Sequence, residues 1–202
     1  MKKILIIAVM CLMGMSAKAQ VNMYEVKSGI VTMEMEMMGR KIVQEIYFDD
    51  YGAKQATIME FQGKKMRSIE VKGENVMIDD EQKTATKMPA MGLGSTDKIN
   101  FLDKSEKNIK RNKIKELGTE VVAGKECTKY SVAVFMMGQV LKQTVWVYKG
   151  ITLKSSISTD FGEMVQEATK LVEDVEIPAE TFEMPEGIKV QQMSMPPMGG
   201  GF

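Results

Sequence analysis

The side chains with chemistry to offer in this chain are methionines. Seventeen of the 21 lie beyond residue 19, and Met33, Met35 and Met37 recur at every second position of one segment. Thioethers are soft ligands suited to Cu(I). They are also pliable apolar groups, common where a surface adapts to varied partners. Met193, Met195 and Met198 crowd the C-terminal end in a similar way. Core packing, an adaptable apolar groove and Cu(I) binding are the three uses such residues could serve. The harder chemistries are missing. There is no histidine, so the usual general base and the commonest metal ligand are gone, and with them any Ser-His-Asp or Cys-His arrangement. The acidic pairs Asp49–Asp50 and Asp79–Asp80 fall in turns, where such residues normally hold the backbone. No phosphate-cradling glycine loop or calcium loop is present. Cys127 is the single cysteine after residue 19 and reads as a small buried hydrophobe in a strand. No catalytic residue, cofactor or metal-ligand set is therefore assigned, and the chain does not read as an enzyme.

The elements that must position the methionines are strands. From Tyr24 to Met88 apolar and polar residues alternate, interrupted by turn signals at Met38-Gly39, Asp49–Gly52, Gln62-Gly63, Gly73-Glu74-Asn75 and Asp79-Asp80-Glu81. About six short strands with close turns form an antiparallel meander. The period returns over 114–122, 127–136, 140–148 and 152–158. Residues 163–175 fit a helix face or a strand, and the regular strand spacing around them selects a strand. Between the two runs, Ser95-Thr96-Asp97 could cap a short helix carrying Ile99 and Leu102, so a helix near Ser95–Lys104 is expected, with Ser105–Arg111 either a second helical turn or loop. A single turn is expected over Ile177–Phe182, with Pro178 early in it.

Residues 1–19 have a basic start, an apolar run of roughly a dozen residues, and Ala17 and Ala19 before Gln20. This is the pattern of a cleaved secretory signal peptide, too short to span a membrane, and it implies a periplasmic protein. The Lys/Arg and Asp/Glu counts are equal at 27 each, and removing Lys2, Lys3 and Lys18 leaves a charge near −3. The charges are interspersed, with no basic stripe for nucleic acid. Residues 20–190 form one domain by length, and 191–202, rich in Met, Pro and Gly, form a disordered tail.

The segments Val145–Lys154, Gln166–Thr169 and Ile177–Gly187, with Gly118–Glu120, Ala123–Tyr130 and Tyr47–Gly52, carry a resemblance. They are similar to outer-membrane lipoprotein carrier and sorting proteins (LolA/LolB-like), closest to uncharacterised exported envelope proteins of that type. The similarity extends over most of residues 24–190, and its motifs are structural. At no matching position does this chain carry the arginine that governs the carrier's lid. The resemblance implies a curved antiparallel half-barrel, an incomplete barrel of about ten or eleven strands, all-β with minor α, and short helices at the concave face. It further implies a concavity that takes lipoprotein acyl chains or another hydrophobic ligand. The expected lining is Met33, Met35, Met37, Ile46, Phe48, Met59 and Phe61, on one face by alternation. The expected function is a non-enzymatic periplasmic binder of a lipid, acyl chain or other apolar molecule. The alternatives are a structural or partner-binding envelope module with a self-filled core, and Cu(I) binding by methionines.

Overall fold

The computed structural model describes residues 22–37, 40–61, 63–71, 74–87, 99–136, 139–159 and 162–192. The stretch from Tyr24 folds as its alternation requires. β1 (Gly29–Met37), β2 (Arg40–Asp49), β3 (Lys54–Phe61), β4 (Lys64–Val71), β5 (Glu74–Asp79) and β6 (Thr84–Lys87) pair in sequence as a meander. A second meander follows α1 (Glu106–Asn112): β7 (Lys115–Val122), β8 (Lys125–Met136), β9 (Gln139–Tyr148), β10 (Ile151–Thr159) and β11 (Gly162–Glu173). β11 pairs antiparallel with β1, which joins the two meanders into one sheet. β12 (Lys189–Gln192) completes it, in the order β12-β6-β5-β4-β3-β2-β1-β11-β10-β9-β8-β7. The sheet does not close, and the architecture is an open half-barrel.

Three expectations are corrected. The sheet has twelve strands, not ten or eleven. The extra one, β12, pairs parallel with β6 and runs through Gln191 and Gln192, the first residues of the expected tail. Its sequence, Lys-Val-Gln-Gln, has no alternation to announce it, and its pairing rests on backbone hydrogen bonds. The helix begins at Glu106, and Ile99–Lys104 is not helical. Asn100 Oδ1 accepts the N–H groups of Leu102 and Asp103, and Asp103 Oδ1 accepts that of Ser105, so the chain turns before it coils. Ser105 is then the N-cap, its Oγ accepting from Asn108 N–H. Residues 95–97, the expected cap, lie outside the described residues, as do the expected signal segment and residues 193–202 of the expected tail. The strand over 163–173 and the single turn at Ala179–Phe182 are as expected.

The core has three parts. One lies where the N-terminal segment crosses the sheet: Tyr24 and Val26 with Val31, Met33, Phe48, Ile151, Leu153 and Ala168, continuing through Val122, Cys127 and Trp146. Tyr24 N–H donates to Tyr51 O and Glu25 N–H to Lys149 O, fastening that segment to two hairpin turns. Glycine is needed at both turns. A Cβ on Gly52, at φ +86°, would lie 2.7 Å from the Tyr24 ring, and Gly150, also at φ +86°, has no room beside the Met23 carbonyl. The second part joins Ile99 and Phe101 to Tyr130, Val132, Val134, Val145, Val147 and Ile157. The third packs Phe182, Met184 and Ile188 onto Ala56, Ile69, Val76, Ile78 and Ala85.

Candidate functional site

Register fixes which side chains share a face. Val31, Met33 and Met35 on β1 oppose Ile46, Gln44 and Ile42 on β2, and Gly29 opposes Phe48. Gln44 opposes Met59 on β3, Met59 opposes Met66 on β4, and Ser68 opposes Met77 on β5. In the other direction the same inner face runs through Ala168 and Gln166 on β11, Ser155 and Ile157 on β10, Val145 and Gln143 on β9, and Tyr130 and Val132 on β8.

The two halves of this face differ. Over β8–β10 it is packed shut by Ile99 and Phe101, whose ring stacks on Tyr130 at 5.4 Å. At the junction with β1–β3, between Tyr24, Ile46, Phe48, Gln55, Thr57 and Ile151, a cavity of about 40 Å³ remains. That holds a water molecule, far below the roughly 300 Å³ or more of a typical small-molecule site. Over β1–β5 the face is covered less: Met35, Ile42, Ile46, Met59, Met66 and Met77 are all half-buried. Of these, Ile46 alone packs against a core cluster. Gln44, Thr57 and Ser68 lie among them, and Asp79 flanks Met77 two residues along β5.

The expected lining residues therefore separate. Met33 (2% exposed) and Phe48 (0%) are core. Met35, Ile46 and Met59 sit on the open part. Met37 and Phe61 belong to β1 and β3 by backbone, and their side chains lie outside the described residues. Sequence reasoning passed over Ile42, Met66 and Met77. The two-residue Gln62-Gly63 turn was the available signal, because it forces Phe61 opposite Lys64 and so Met59 opposite Met66.

Elsewhere on the sheet, charges are organised around structure. Trp146 lies between Lys129 and Lys154, 4.6 and 5.1 Å from its ring centre, and its Nε1–H donates to Glu120 Oε2 at 2.8 Å. That hydrogen bond holds the Glu120 carboxyl below its usual range. Glu173 joins Lys125 (2.6 Å) and Lys149 (2.9 Å), tying the β7–β8 and β9–β10 turns to the end of β11. Hydrogen bonding from Lys125 and then Lys149, against some desolvation, holds the Glu173 carboxyl down. Arg67 is a buried cation on the face of β4 opposite Met66 and Ser68. It forms a two-pronged pair with Asp80, at 3.2 and 3.0 Å, and its Nη1 donates to the carbonyls of Glu180, Thr181 and Glu183. The 177–188 strap is thereby locked over the third core cluster. Among the described residues no group of three or more His, Cys, Asp or Glu could hold a metal. Burial pushes the Cys127 thiol up and keeps it protonated.

Solved structures share this architecture. MucB in the Pseudomonas aeruginosa MucA/MucB complex superimposes with a TM-score of 0.51 at 16% identity, over 84% of this chain and 62% of that one. The fold is LolA/LolB-like. An uncharacterised conserved protein from Thermus thermophilus gives a TM-score of 0.54 at 7% identity, over 83% and 91% of the two chains. A proposed outer membrane lipoprotein-sorting domain from Vibrio parahaemolyticus aligns more loosely, at 0.40 and 13% identity over 77% and 89%, too loosely to carry weight. This chain spans less than two thirds of the MucB chain. At these identities the likeness is one of fold. No protein-family profile matches the sequence, and no curated protein is similar to it in sequence.

Proposed function

We propose that this is a non-enzymatic envelope protein of the periplasm that binds a hydrophobic ligand on the open half of its inner face. An acyl chain, as the LolA/LolB-like resemblance implies, is the leading class. The observation that carries the proposal is the asymmetry of that face. One half is sealed by the protein's own side chains, while the other leaves six large apolar residues half-covered and adjacent. Apolar surface in contact with water is free energy available for binding, about 25 cal/mol per Å² removed from solvent. Methionine supplies it in a form that moulds to flexible chains. A non-catalytic role fits a chain with no histidine and a buried, protonated Cys127.

Native mass spectrometry of protein purified from its own cell envelope tests this reading. A co-purifying lipid mass is expected. Ligand-free protein, together with no binding of a fluorescent acyl probe, would count against it.

A second reading has its own support. The half-buried apolar residues are spread over five neighbouring strands, β1 to β5, a breadth that a partner protein could cover instead. A photo-crosslinking amino acid placed at Met66 in living cells separates the two. Lipid carriage gives an adduct of lipid mass, and partner binding gives one of protein mass.

A further inference from the structure

The methionines of the open half have a specific arrangement that apolar binding does not require. Met59 and Met66 are directly opposed on β3 and β4. Met77 stands on β5 opposite Ser68, two residues along β4 from Met66 on the same face. Three thioethers thus occupy three adjacent strands. Opposed Cβ atoms are about 4.5–5.5 Å apart and diagonal ones up to about 8 Å, and a methionine with three free torsions closes such gaps. All three are half-buried, and none belongs to a packed core cluster.

We propose that Met59, Met66 and Met77 form a binding site for a soft monovalent metal ion, Cu(I). Donor chemistry selects the ion. Three neutral sulfur atoms with no imidazole, thiolate or carboxylate among them favour Cu(I) over Zn²⁺, Cu²⁺ or Mg²⁺. On the same face Thr57 and Ser68 are small and uncharged, and the carboxylate of Asp79, two residues along β5 from Met77, is engaged by the Glu81 and Gln82 N–H groups, so the sulfurs are left free to converge. The trio Met33, Met35 and Met37 is the poorer candidate, because Met33 is buried in the core. Coordination moves no electrons, and the site needs only reduced copper in its compartment. The proposal is independent of acyl binding, since a metal site and an apolar surface fail in different assays.

The test is competition for Cu(I) against bicinchoninate, under reducing conditions, on the full chain. One Cu(I) bound more tightly than micromolar is expected. Met66→Leu should weaken it at least about 10-fold, and the triple change Met59→Leu, Met66→Leu and Met77→Leu more than about 100-fold, beyond what loss of an outer-shell partner costs. Leucine conserves volume and apolar character at each site. A control with Met193, Met195 and Met198 changed to Leu should bind as before. In the unaltered protein, one equivalent of Ag(I) should shift the ¹³C-methyl resonances of these three methionines together. Micromolar or weaker binding, affinity unchanged in the triple variant, affinity lost in the control, or Ag(I) shifts elsewhere would each overturn the proposal.

Discussion

Arg67 occupies a position that alternation would give to an apolar residue, in phase with Ile69 on β4, and it is tolerated there because each of its three nitrogens donates to an oxygen. Arg67→Ala should destabilise the fold by about 2–3 kcal/mol, below the cost of breaking a fully buried pair because Asp80 is half in water. Arg67→Lys should restore only part of that, since an ammonium cannot grip Asp80 in two places and three carbonyls besides. Urea unfolding of the two variants measures both. Cys127, fully buried with its thiol pushed up by burial, should resist maleimide in the native protein and react stoichiometrically in denaturant. Glu173 governs part of the acid response. Its carboxyl is held below the ordinary range by Lys125 and Lys149. An acid depressed in the folded chain stabilises it above the unfolded value, about 4.3 for glutamate, and that stabilisation fades as pH falls through the folded value. Glu173→Gln should lower the thermal midpoint at pH 7, with the gap to the unaltered protein narrowing below about pH 4, as followed by circular dichroism.

The strap after β11 is the element whose role was least legible beforehand. Residues 177–182 gave a single-turn signal, but nothing in them announced that Phe182, Met184 and Ile188 would cover the outer side of β3–β6, or that β12 would cap the β6 edge. Truncation after Glu176 should therefore expose Ala56, Ile69, Val76 and Ile78, lower the midpoint by well over about 5 °C, and raise binding of a hydrophobic dye. An unchanged midpoint would show that the strap does not hold the fold. The strands themselves were legible, because a period of two survives in residues such as Val31–Thr32–Met33–Glu34–Met35 and every turn carries glycine or an acidic pair. The helix was misplaced because its start depends on which of several polar residues caps it. Ser105 won over Ser95-Thr96-Asp97 once Asn100 and Asp103 had turned the intervening chain.

Across the whole molecule, the inner face was legible as a face and not as a site. Alternation put Met33, Met35, Ile46, Phe48 and Met59 together, but it could not tell which of them the N-terminal segment buries. Tyr24 meets the Phe48 ring edge-on at 4.9 Å, a contact between residues on different elements. The half proposed to bind ligand is the remainder, bounded by Met35, Met59, Met66 and Met77. Titration of a dansyl-labelled fatty acid into the full chain tests that account most directly. The account predicts saturable binding, weakened at least about 10-fold by Met66→Asp, the equivalent of about 1.4 kcal/mol, and unaffected by Val43→Asp on the exposed outer side of β2. No saturable binding, or equal loss from both substitutions, would contradict it.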